Sequence, residues 1–210
     1  MGITTDEGLM MERATRRKTT SRNGKRTSQA PRLDAAAWIE CALRLLCERG
    51  IDGVRVEVLA KQLGVTKGSF YWHFTDRGAL LAEMLQAWRK RATLEIIERL
   101  EGALEPAMTR LSRLLRLQFD ARKTDADMEL SIRLWARHDT QAAQALDEVD
   151  ELRLRYIANL LHEHGMDEDA ADARAVLIYC YMQVSGSLAG PVRDKRLTQS
   201  CERILMGTVD

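Results

Sequence analysis

The run Val65-Thr66-Lys67-Gly68-Ser69-Phe70-Tyr71-Trp72-His73-Phe74 leaves the chain few local structures to adopt. Phe70 and Phe74 are four residues apart, which puts both on one face of a helix and lets them share a core. Lys67, Gly68, Ser69, Tyr71, Trp72 and His73 then face outward. Showing two large rings, a lysine and a histidine to solvent on one short helix is costly unless something binds there. Thr66, just before the helix, has a hydroxyl suited to accept a free first-turn amide.

The preceding residues complete a two-helix unit. Across Arg55 to Leu63, the apolar residues Val56, Leu59, Ala60 and Leu63 recur at helical spacing. Gly64 follows where a helix end favours a left-handed residue. Val65 returns to the core, and small Ala60 allows close helix approach. Helix, glycine turn and second helix with polar outward residues are the sequence form of a helix-turn-helix. A tight helical hairpin would need a similar apolar set, but it leaves the outward aromatics unexplained.

Residues 33–85 resemble the DNA-binding domain of the TetR family of bacterial repressors. The resemblance is carried by a first helix, about Leu33 to Arg49, with Trp38, Ile39, Ala42, Leu45 and Leu46. The Gly50-Ile51-Asp52-Gly53 turn and the Leu59-Ala60 to Phe74 reader follow. Arg77-Gly78-Ala79-Leu80-Leu81 then opens a fourth helix. Arg55 departs from the pattern, since many members have a capping Ser or Thr there; the cap is weaker and Arg55 is offered to a phosphate. The resemblance implies that Tyr71 and His73 hydrogen-bond phosphate oxygens and that Arg77 is aimed at the DNA backbone. Thr66 and the adjacent helix amides add a helix N-terminus for phosphate. Such contacts set register, whereas base edges set sequence. Base reading is expected from Lys67, Gly68, Ser69 and Trp72: lysine reaches guanine O6 and N7, and an indole covers a thymine methyl.

Charge distribution adds to this reading where net charge does not. The 210-residue chain has a formal net charge of only +1. Residues 1–32, however, hold eight Lys/Arg against Asp6, Glu7 and Glu12. This segment, poor in apolar residues, is expected to be a disordered basic N-terminal arm. It either follows phosphates or the minor groove, or is a solvated tail or a misassigned start, with Met10 and Met11 as later starts. No apolar run approaches the ~20 residues of a membrane helix, and no signal-peptide core opens the chain. A cytoplasmic protein is expected.

Beyond the reader (33–80), residues 81–210 are helical throughout, making the chain all-α, and this layout resembles the variable C-terminal half of the same family, which implies an effector-binding and dimerisation domain. The fourth helix runs to about Leu100, Pro106 suits a first turn, and Asp125 is expected to cap a helix bearing Met128, Ile132 and Trp135. Thr140 to His164 reads as one long helix stopped by Gly165. Asp169 opens a helix to about Leu188, and a last one spans about Asp194 to Met206. In the resembled family the last two helices pair with their mates in a dimer. Candidate effector-pocket residues are Leu115, Phe119, Arg122, Met128, Ile132, Trp135, Tyr156 and Met182, with Arg133 or His138 as further polar anchors; Met, Trp and Phe together suit an adaptable apolar pocket.

Other chemistry is weakly supported. His162 and His164 are two apart on a helix and point away from each other. Cys41, Cys47, Cys180 and Cys201 lack CxxC spacing and suit reduced, apolar roles. No phosphate loop, nucleophile elbow or catalytic carboxylate pair stands out, so neither catalysis, metal nor cofactor is expected. The resemblance implies a homodimeric repressor that leaves a palindromic double-stranded DNA operator when a small-molecule effector binds. An activator or ligand-independent regulator of the same fold is the alternative, and a helical enzyme or carrier with an incidental hairpin is the reading from another class.

Overall fold

A computed structural model describes residues 34–102, 104–120, 123–185 and 195–207, without the side chains of 118–120, 123–126 and 195. The expected basic arm, residues 1–32, lies outside the described residues. Among those described, regular structure is entirely helical, as the sequence predicts.

The first helix, α1 (Ala35–Arg49), starts where Asp34 accepts the Ala37 amide at 2.9 Å. It buries Trp38, Cys41, Ala42, Leu45 and Leu46 at spacings of three and four. A 3-10 turn, Ile51–Gly53, leads to α2 (Val56–Leu63). Arg55 occupies the cap position of α2 without a side-chain capping bond, as the Arg55 departure predicts. Gly64, at φ 68° and ψ 28°, ends α2 in the left-handed region. The Val65 amide then reaches the Ala60 carbonyl at 3.0 Å and the Gly64 amide the Lys61 carbonyl at 3.3 Å. Those two bonds form a Schellman closure, which aims the chain into α3.

The next helix, α3, is one turn long, Lys67–Phe70. Asp76 caps α4 (Arg77–Arg89) through the Ala79 amide at 2.8 Å. The helix continues through a π segment, Lys90–Leu94, into α5 (Glu95–Glu101). It thus forms the long connection expected from Arg77 to about Leu100, with the π segment unforeseen.

The remaining helices are α6 (Ala107–Asp120), α7 (Lys123–Ala136), α8 (Thr140–Glu163), α9 (Glu168–Ser185) and α10 (Lys195–Met206). Pro106 stands just outside α6, its carbonyl accepting the amides of Thr109 and Arg110. α7 begins at Lys123, so Asp125 lies inside the helix instead of capping it. Asp139 caps α8, and Gly165 at φ 103° stops it as expected. Asp167, not Asp169, caps α9 through the Ala170 amide at 3.0 Å.

Two apolar clusters form within one compact unit. The first joins α1–α4 and is closed by Ile132 and Trp135 of α7 and by Ala142 and Val149 of α8. The core therefore crosses position 80/81, where the sequence suggests the reader ends. The second joins α6, α8 and α9 around Leu111, Leu115, Ile157, Leu161, Ile178 and Met182.

Candidate nucleic-acid interface

Phe70 and Phe74 are both buried and stack at 5.2 Å, while Trp38 of α1 meets Phe70 edge-on at 5.4 Å. This aromatic anchor fixes the short α3 in place. Tyr71–His73 form a turn, but the Phe74 amide still bonds the Phe70 carbonyl at 3.0 Å, so the helical winding persists. Between two sealed phenylalanines the chain pushes Tyr71 (63% exposed) and Trp72 (86% exposed) into solvent. Lys67, Gly68 and His73 are exposed too, and Ser69 is half-buried.

Gly68 is free of internal constraint. A Cβ there would meet only the Thr66 hydroxyl, at 3.6 Å. Arg55 is exposed at the start of α2. The structure therefore brings together Arg55, Lys67, Gly68, Tyr71, Trp72 and His73 on the reader helices and the turn that follows, as solvent-facing groups.

Two expectations change. Thr66 holds the extended cap position at φ −81° and ψ 156°, yet its hydroxyl makes no capping hydrogen bond. With α3 only one turn long, few peptide dipoles align, so its N-terminus is a weak anion site. Arg77 is half-buried and turns inward: its Nε donates to the Val54 carbonyl at 2.7 Å and its Nη2 to the Ile51 carbonyl at 2.8 Å. It ties the start of α4 to the turn between α1 and α2, where the Ile51 carbonyl accepts the Val54 amide as well.

Sequence reasoning missed Glu57. Lys67 Nζ donates to Glu57 Oε1 at 2.6 Å, joining α3 to α2. The hydrogen bond from Lys67 holds the Glu57 carboxyl below its ordinary pKa. Opposite charges flanking the Gly64 turn were the available signal.

The effector-pocket candidates separate. Met128, Ile132 and Trp135 pack in the cluster with α1–α4, and Cys47 Sγ lies 3.7 Å from Met128 Sδ. Leu115, Tyr156 and Met182 belong to the other cluster. The Phe119 side chain and all of Arg122 lie outside the described residues. Trp135 and His138 line a hollow of about 440 Å³, with Leu46, Cys47 and Asp52 on its opposite side.

Between the clusters lies an ionic network that the sequence gave little sign of. Arg153 donates to Thr93 Oγ1 (3.1 Å), the Ala92 carbonyl (3.1 Å), Glu129 Oε1 (3.0 Å) and Tyr179 OH (3.1 Å). Arg133 makes a two-pronged pair with Asp150 at 2.7 and 2.9 Å and also reaches Glu129. The Tyr179 hydroxyl donates to Asp150 at 2.5 Å. Burial works against the charge on Arg153, but Glu129 and Tyr179 together outweigh it and hold the guanidinium above its ordinary pKa.

The family model for bacterial regulatory proteins of the tetR family matches residues 39–84, the whole of α2 and α3 with most of α1 and α4. Residues 39–84 are a DNA-binding domain of the TetR type. Tetracycline repressor protein class D of Escherichia coli is 44% identical over 50 residues, 24% of this chain and 23% of that protein. The HTH-type transcriptional regulator AcrR of Shigella flexneri is 33% identical over 60 residues, 29% of this chain and 28% of its own length. The chain thus matches about a quarter of the length of these curated relatives. The likeness in fold extends further. A solved putative transcriptional regulator from Saccharomonospora viridis, in complex with choline, superposes with a TM-score of 0.66 at 22% identity, over 81% of this chain and 92% of that one. The ketosteroid transcriptional regulator KstR2 of Mycobacterium tuberculosis gives 0.62 at 17% identity, over 83% and 93%.

Proposed function

We propose that this TetR-family chain is a sequence-specific DNA-binding transcriptional regulator, a homodimeric repressor released from a palindromic operator by a small-molecule effector. The observation that carries the reading is the exposed Tyr71–Trp72 pair, held outward by sealed Phe70 and Phe74. Arg55, Tyr71 and His73 serve phosphates in this reading, while Lys67, Gly68, Ser69 and Trp72 face base edges. Arg77 acts from beneath, by holding α4 against the reader.

Dimerisation is supported by α9 and α10, which expose Val176, Leu177, Val184 and Ile204. Reading a palindrome takes two recognition helices about 34 Å apart, related by a two-fold axis. Effector release is supported by the route between clusters. Arg153 grips the π segment that continues α4, so a ligand that competes for Arg153 or Arg133 alters the hold on α4. Coupling of about 1–3 kcal/mol suffices for such a switch. The choline held by the Saccharomonospora viridis regulator supports a small molecule as effector.

Selection of duplexes from a random DNA pool, at two salt concentrations, tests the reading. Recovery of a palindrome is expected. Binding that is salt-sensitive but blind to sequence would overturn it.

A further inference from the structure

Glu57 is a carboxylate in the reader, where it faces repulsion from DNA phosphates. Its pair with Lys67 is open to water, the two side chains being 59% and 58% exposed. Exposed pairs contribute little to folding, so stability does not account for its placement. The pair joins the first turn of α2 to the first residue of α3, across the turn that defines a helix-turn-helix. What it presents is a donor and an acceptor side by side: an ammonium with two protons not used by Glu57, and a carboxylate with a second oxygen.

That arrangement has a complement in the major groove. A G·C pair shows guanine N7 and O6 as acceptors, and the cytosine N4 amino group as a donor beside O6. We infer that Glu57 and Lys67 act as one unit that reads a G·C pair, Lys67 donating to guanine O6 and N7 while Glu57 accepts from cytosine N4. Because the ion pair survives docking, Lys67 need not be freed from Glu57 before it reads DNA. An A·T pair puts the adenine N6 amino group where O6 would be, so the ammonium meets a donor. A reversed C·G pair swaps the two sites. The inference rests on the regulator reading above and adds to it a specificity residue on α2.

The test uses the full chain and its Glu57→Ala and Lys67→Ala variants, each selected against random duplexes. Affinities are then measured for the recovered site and for versions with single pairs changed. With the native protein, replacing the G·C pair by A·T in one half-site is expected to weaken binding by roughly 5- to 150-fold. Glu57→Ala and Lys67→Ala should both flatten preference at that same pair and leave other positions as they were. Unchanged melting curves would show that both variants fold. Tighter binding of Glu57→Ala to every duplex alike would make Glu57 a mere competitor for Lys67 and overturn the assignment. An unchanged preference would overturn it also. If the native protein selects no sequence at all, the regulator reading falls with it.

Discussion

Phe70 and Trp72 stand two residues apart and answer to different demands, one to the core and one to whatever docks on the reader. Phe70 is sealed between Trp38 and Phe74, so Phe70→Ala opens a cavity and should cost about 3–5 kcal/mol in urea unfolding. Trp72→Ala removes a ring that touches mostly water; stability should hold within about 0.5 kcal/mol while affinity for the selected duplex falls. A large stability loss would show that Trp72 serves the fold. Gly68 gives a sharper separation of the two demands. Inside the protein a Cβ meets nothing closer than 3.6 Å, and alanine favours a helix over glycine by up to about 1 kcal/mol. Gly68→Ala should therefore match or exceed the native melting temperature yet bind DNA more weakly, because the methyl group intrudes on the groove. Native-like DNA affinity would remove Gly68 from the interface.

At the scale of elements, the junction of α4, α7, α8 and α9 depends on charges whose removal has opposite effects singly and together. Arg153→Met leaves Glu129 half-buried without its main cation and should destabilise by about 3–5 kcal/mol, whereas Arg153→Met with Glu129→Leu should recover most of that loss. If the double variant is no more stable than the single one, Arg153 acts mainly through the Thr93 and Ala92 contacts. Tyr179 belongs to the same junction and reports on it through pH. Burial pushes its phenol up to about 12, against the pull of the Arg153 charge. A raised pKa in the folded state gives stability that is present below the unfolded value of about 10 and lost as pH rises from there toward 12. Tyr179→Phe should make the alkaline fall in stability shallower by up to roughly 1.4 kcal/mol per pH unit in that window; equal slopes would place the phenol outside the linkage. Little of this junction beyond Arg133 as a polar anchor was legible in the sequence, because Arg153 meets Thr93 across sixty residues, and an arginine in an amphipathic helix reads the same whether it faces water or a buried carboxylate. What was legible is local: the Phe70–Phe74 spacing, the left-handed Gly64, the missing cap at Arg55 and the stop at Gly165. Contacts that turn on a side-chain rotamer escaped even at short range, as with the inward Arg77 and the idle Thr66 hydroxyl.

For the whole molecule, the question is whether one copy of the chain suffices. A single reader spans one half-site, and its exposed groups all belong to a patch around α2, α3 and the turn after them. In the proposed dimer, two-fold pairing doubles that footprint through the exposed apolar residues of α9 and α10. Leu177 is 62% exposed, so Leu177→Glu removes little from the monomer and should leave its melting behaviour near that of an exposed-site change, within about 0.5 kcal/mol. In a paired interface the same carboxylate would be buried opposite its own symmetry copy, where two like charges without partners oppose association. Sedimentation should then show the native chain as a dimer and Leu177→Glu as a monomer. DNA binding separates this from a defect in the reader: the variant should keep the base preference of the native half-site but lose the gain from joining two half-sites at fixed spacing. A native chain that sediments as a monomer, or a Leu177→Glu dimer that binds the palindrome undiminished, would remove α9 from the assembly and require each reader to act alone.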